Sequence, residues 1–115
     1  MRIGELARAT GVSTRALRFY EENGLLESAR LANGYRVYPE SAVGRVRNIR
    51  TLLNHGLTLE DVTHFQCCLD GDVMSANPDP ELVAVAQRRL AVLDERIDAL
   101  VQVRDQLANA LTSGR

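Results

Sequence analysis

Apolar positions Ile3, Leu6 and Ala7 fall on one face of a short amphipathic stretch and predict a helix over Ile3–Thr10. Gly11-Val12 make the turn that follows, where Gly11 can supply a positive φ. Ser13 is a candidate N-cap for a second helix, which runs to about Asn23 and stops at Asn23-Gly24. Ala7 is small enough for two helices to cross, and Leu17 locks the second helix onto the first. Two short helices joined in this way predict a helix-turn-helix, the unit that places a helix in the DNA major groove. Leu25 and Leu26 tuck back onto the core. Between Arg30 and Pro39, Asn33-Gly34 followed by the alternating Tyr35-Arg36-Val37-Tyr38 predicts a β-hairpin. A hairpin directly after a helix-turn-helix is a wing.

Pro39 suits the first position of a third helix, whose stripe is Val43, Val46, Ile49, Leu52 and Leu53 and whose end is His55-Gly56. His55 there is a candidate C-terminal cap. Thr58-Leu59-Glu60-Asp61 has the form of a capping box for a fourth helix, with Val62, Phe65, Cys68 and Leu69 on its inner face. A polar run, residues 70–78, separates this head from a last helix opened by Asp79-Pro80-Glu81. That helix is expected to continue without Gly or Pro to about Leu111. Steps of three and four pick out Val83, Ala86, Leu90, Leu93, Ile97, Leu100, Arg104, Leu107 and Leu111, a heptad seam broken only by Arg104. A lone helix cannot bury such a seam on so small a head, and the simplest partner is its own copy. Arg104 would set the register or pair with an acid of the other copy, such as Asp98 or Asp105. The expected class is mainly α: a winged helix-turn-helix head over 1–70, a linker over 71–78 and a coiled-coil dimerisation helix over 79–115.

Charge divides along the same line. Residues 1–50 hold nine Arg and five acids, a balance of +4; residues 51–115 hold five Arg and ten acids, a balance of −5. The net charge of −1 thus conceals a basic head and an acidic body, as expected of a polyanion-binding head. All the cations are Arg, which favours bidentate contacts to phosphate and guanine. No apolar run approaches the roughly 18 residues needed to span a membrane, and Met-Arg-Ile-Gly-Glu-Leu has no apolar signal region, so a cytoplasmic protein with no membrane partner is expected. The adjacent Cys67 and Cys68 do not form a disulfide framework. No paired carboxylates, nucleophile–base set or phosphate loop points to an enzyme.

The order of these pieces carries a resemblance. A helix-turn-helix, the run Arg18-Phe19-Tyr20-Glu21-Glu22-Asn23-Gly24-Leu25-Leu26, the wing Asn33-Gly34-Tyr35-Arg36-Val37-Tyr38, a helix ending His55-Gly56-Leu57 and a long coiled-coil helix together resemble the MerR family of bacterial transcription regulators over about residues 1–111. The resemblance implies a homodimer held by antiparallel pairing of the long helices, with its two heads on inverted half-sites of double-stranded promoter DNA. It also implies action with RNA polymerase at the promoter. There the effector-bound dimer bends and untwists an overlong gap between promoter elements, while the free dimer holds them unproductive. Carried over to this sequence, Arg15 and Arg18 would contact bases and phosphates. Tyr20 would hydrogen-bond phosphate, and Tyr35 and Arg36 would hold the backbone from the wing. Arg2 and Thr14 are further phosphate candidates. Tyr38 is expected to pack the hairpin on the head, and Arg45, Arg47 and Arg50 to serve the surface or domain packing.

The signal is less legible. Metal-sensing members carry Cys in a loop after the dimer helix, the iron–sulfur member a Cys cluster there, and multidrug-binding members a large further domain. Here Leu111-Thr112-Ser113-Gly114-Arg115 offers none of these, so no cofactor and no standard metal site are expected. His64 with Cys67 or Cys68 falls at helical spacings of three and four. Those residues would hold a metal or sense oxidants through a thiolate, unless Cys68 simply packs in the core beside Phe65 and Leu69. A protein-interaction adaptor, using the same head to bind a partner such as a chaperone, is the alternative from another class.

Overall fold

The computed structural model describes residues 1–64, 66, 69–75 and 78–113. In chain order its elements are α1 (Ile3–Thr10), α2 (Thr14–Glu22), β1 (Ala29–Arg30), β2 (Arg36–Val37), α3 (Ala42–Asn54), α4 (Leu59–Thr63) and α5 (Pro80–Ser113). At the α1–α2 turn Gly11 has φ 73° and donates its N–H to Ala7 O at 2.8 Å. That left-handed conformation is open to glycine without a Cβ penalty. Ser13 caps α2 by accepting from Ala16 N at 3.1 Å. Leu6, Val12 and Leu17 are thereby brought together with Val46 and Ile49 of α3 in one aliphatic core. Arg47 Nη2 donates to Ala9 O at 3.1 Å and fastens α3 to the end of α1.

The wing is an antiparallel pair with Ala29 opposite Val37 and Arg30 opposite Arg36. Its loop is closed by Gly34 N donating to Leu31 O (2.9 Å) and Leu31 N donating to Tyr35 O (2.8 Å). Gly34 has φ 87°, and no described non-glycine residue has positive φ. Leu31–Gly34 therefore forms a turn with Ala32 and Asn33 at its centre and the left-handed Gly34 at its end, the glycine position of a bulged hairpin loop.

Three expectations about the elements are corrected. α3 begins at Ala42, because Pro39-Glu40-Ser41 form a turn of their own in which Ala42 N donates to Pro39 O at 3.0 Å. α4 is a single short turn-and-a-half, although its capping box is present: Thr58 N donates to Asp61 Oδ2 (2.9 Å) and Asp61 N to Thr58 Oγ1 (3.1 Å). The run 70–78 is not all free linker. Asn48 Nδ2 donates to Leu69 O (2.6 Å) and Gly71 O (2.7 Å), and Val73 is only 5% exposed. Those bonds to α3 draw the start of the run onto the core. Phe65 and Cys68, expected on the inner face of α4, lie outside the described residues.

Asp79 accepts from Glu81 N at 2.8 Å through Oδ1, and Pro80 opens α5 as expected. The helix reaches the head through Leu82 and Val85, both buried. The heptad seam lies on the adjacent face: Val83, Ala86 and Leu93 are half-buried, while Leu90, Ile97, Leu100, Leu107 and Leu111 are each more than half exposed. The helix does not fold back on its own domain, and the chain measures 72 × 34 × 20 Å. Among the described residues Arg104 pairs with its exposed neighbour Asp105, at 3.0 Å. No described helix is long and apolar enough to cross a membrane.

An ion pair joins head and helix: Arg89 Nε donates to Asp61 Oδ2 at 2.9 Å, both side chains being largely covered. Burial alone would raise the Asp61 pKa, but the hydrogen bond from Arg89, those from Thr58 and the Arg89 charge outweigh it and hold the carboxyl below 3.8. The stabilisation is therefore full above the unfolded-state value and lost as pH falls through the lower folded-state value. Asp61→Asn is expected to cost about 1–3 kcal/mol at neutral pH. In urea melts, its deficit against the parent protein should shrink below about pH 4; a deficit independent of pH would contradict the assignment.

Candidate nucleic-acid interface

α2 has two faces set by its own sequence. Leu17 and Tyr20, three apart, point into the core, which leaves Arg15, Arg18, Phe19 and Glu22 on the outward face. Thr14 sits at the helix start beside its N-cap Ser13, where unpaired backbone N–H groups favour an anion.

Beside this face, the start of α1, α2 and the wing enclose a groove. Arg2, Arg8, Arg18, Arg30 and Arg36 line it with Tyr35, against one acid, Glu5. The Arg2 guanidinium stacks over the Tyr35 ring, 4.1 Å from its centroid, a cation–π contact that orients both groups. Arg30 Nη1 donates to Gly34 O at 3.2 Å, which ties the strand to its own loop. Five guanidinium groups around one cleft create a positive potential suited to a polyphosphate backbone.

The wing is held against α2 by one carboxylate. Glu21 accepts from the Tyr38 hydroxyl at 2.6 Å and the Ser28 hydroxyl at 3.0 Å, and pairs with Arg36 Nη1 at 3.2 Å. Burial pushes the Tyr38 phenol up to about 12, assisted by its hydrogen bond to Glu21 and by the Glu21 charge. Glu21→Ala leaves the buried Tyr38 hydroxyl without its acceptor and is expected to lower stability by about 1–3 kcal/mol in urea melts. It should also broaden the amide resonances of the wing.

Of the residues expected to contact DNA, Arg2, Arg18, Tyr35 and Arg36 converge on the groove, and Thr14 and Arg15 lie on the helix beside it. Tyr20 lies mostly beneath this surface. It is 5% exposed because Leu17, at helical spacing, carries it into the core. Its hydroxyl makes no hydrogen bond among the described residues but is not sealed off from solvent. Burial raises its pKa, partly offset by Arg50. Any phosphate contact by Tyr20 is thus confined to that hydroxyl edge. Tyr38 packs as expected, 2% exposed. Arg45 serves domain packing, donating to Leu25 O at 2.5 Å and to Asp70 Oδ2 at 3.1 Å. His55 caps α3, its Nδ1 2.7 Å from Thr51 O. His64 is exposed after α4, and Cys67 and Cys68 lie outside the described residues; no group of three metal-ligating side chains occurs among the described ones. Arg8, Arg30, Phe19 and Glu21 belong to the surface and were not expected.

Residues 1–66 match the family model for the MerR HTH family regulatory protein, and residues 43–110 match that for MerR, DNA binding. The chain belongs to the MerR family. Among MerR relatives, it is 38% identical to an HTH-type transcriptional activator SoxR homolog of Chromobacterium violaceum, over 97% of this chain and 74% of that protein. It is 35% identical to the nodulation protein NolA of a Bradyrhizobium species, covering 98% of this chain but 44% of NolA. In fold it is similar to HiNmlR, a MerR regulator lacking the sensor domain and solved bound to promoter DNA. That likeness has a TM-score of 0.59 at 23% identity and covers 97% of this chain and 83% of HiNmlR. As a MerR protein the chain is a DNA-binding transcription regulator.

Proposed function

We propose that this regulator binds promoter DNA as a homodimer, with α2 of each head in the major groove and the arginine groove beside it clamping the phosphate backbone. The observation that carries the reading is the convergence of Arg2, Arg8, Arg18, Arg30 and Arg36 on one cleft between α2 and the wing. Arg15 and Arg18 present guanidinium forks to base edges and phosphates. Arg2, Arg36 and Tyr35 position the backbone, and Thr14 offers the helix N-terminus to a phosphate.

The exposed seam supports dimerisation through α5. Leu100, Leu107 and Leu111, at 69%, 61% and 77% exposure, would be costly to leave in water on an isolated chain. Pairing is antiparallel in this proposal. An apolar groove lined by Leu57, Val73, Leu82 and Leu90 runs beside the first half of α5, while the apolar second half projects beyond the head. Antiparallel pairing lays one copy's second half into the other's groove; parallel pairing leaves the groove open. The dimer then acts on RNA polymerase by deforming the promoter between its half-sites.

DNase footprinting on the promoters flanking its own gene tests this. Two protected inverted half-sites, with an affinity that falls steeply with salt, are expected. Absence of protection at low salt from a folded dimer would overturn the reading in favour of the adaptor.

A further inference from the structure

Phe19 is the one large apolar side chain on α2 that is not in the core: it is 52% exposed, whereas Leu17 and Tyr20 are buried. It lies one turn from Arg15 on the outward face, and at about 100° per residue it falls on the opposite side of Arg15 from Arg18. Arg18 lines the arginine groove toward the wing, so Phe19 occupies the edge of the helix away from it. Its backbone is fixed, since Asn23 Nδ2 donates to Phe19 O at 2.8 Å. A phenyl ring has no donor or acceptor to offer a phosphate or a base edge. In the major groove its natural complement is the C5-methyl group that a pyrimidine carries.

We infer that Phe19 reads a thymine in each half-site by packing on its C5-methyl group, making it a specificity-determining residue on the edge of the helix opposite Arg18. The inference rests on the proposal that α2 enters the major groove. It divides the labour of the helix: arginines for hydrogen-bonding edges, one aromatic ring for a methyl group. A C5-methyl is carried by thymine and by 5-methylcytosine; a synthetic, unmethylated duplex restricts the test to thymine.

The probe is the tightest 30-base-pair duplex selected by the full-length protein from a random synthetic pool. Each thymine of its half-sites is replaced in turn by deoxyuridine, which removes only the methyl group, and binding is followed by fluorescence anisotropy. One position per half-site is expected to weaken binding about fourfold, the effect of uncovering roughly one methyl-sized group. Phe19→Ala, which removes the ring from both heads of the dimer, is expected to lose about the square of that factor, roughly 16-fold, on the thymine duplex and to be indifferent to deoxyuridine there. Equal binding by the parent protein to every deoxyuridine duplex overturns the inference without recourse to a variant. Loss of affinity in Phe19→Ala with the thymine preference retained overturns it too, since the ring would then touch sugar or backbone. If no duplex is enriched at all, the DNA-binding proposal beneath it fails, and that outcome is distinct from a selected duplex with no methyl dependence.

Discussion

Leu100→Asp combined with Leu107→Asp is expected to turn the dimer into a monomer and to weaken operator binding by about 10²- to 10⁴-fold. The magnitude is the gain that two linked modules derive from effective concentration. Each head alone would hold one half-site, and the second contact would no longer be intramolecular. Both leucines are largely exposed in the single chain and lie well beyond Leu82 and Val85, where α5 meets the head. A carboxylate at either place therefore costs the isolated fold little. In the paired helices it would put a charge into an apolar seam, where an unpaired ion is strongly disfavoured. Sedimentation velocity should show half the parent mass, with the thermal melt of the head retained. A variant that remains dimeric would remove α5 from the interface.

Arg18→Ala is expected to weaken binding by about 30-fold or more, and to lower the slope of log affinity against log salt. One bidentate contact to a base edge is worth about 1–3 kcal/mol, and a dimer loses it twice. Arg18 is singled out because it borders both the outward face of α2 and the arginine groove. Losing it removes a base contact and reduces the positive charge over the phosphates. Arg47→Ala is the matched control. Its guanidinium is spent on Ala9 O, so its loss should lower stability while leaving the salt slope unchanged. Identical salt slopes for the parent protein and Arg18→Ala would place Arg18 away from the backbone.

The elements most legible in the sequence were those specified by a few neighbouring residues. Gly11 and Ser13 mark the α1–α2 turn whatever lies behind it, and Asn33-Gly34 with its alternating sequel marks the wing. The long helix was visible because its seam repeats over many turns. The burial of the Tyr20 ring was less legible. Phe19 and Tyr20 are adjacent on a helix and point about 100° apart, so they do not share a face. Leu17, three residues before Tyr20, was the cue that Tyr20 turns inward, and the outward role fell to Phe19. Glu21 was illegible for a different reason: its partners Ser28, Arg36 and Tyr38 lie seven to seventeen residues away and meet it only when the wing folds back. Val73 likewise sits in a polar run and is buried because Asn48, on a distant helix, binds the backbone beside it.

The groove contains no lysine, and neither does the rest of the chain. A guanidinium keeps its proton throughout the physiological pH range, and arginine escapes the acylation that neutralises lysine. The attraction of this surface for a polyanion is therefore constant: neither acidity nor an acetyl donor can dim it. In the proposed dimer, a signal would instead act by changing the spacing or tilt of two permanently charged heads, with α5, joined to the head at Asp61 and Arg89, as the lever for it.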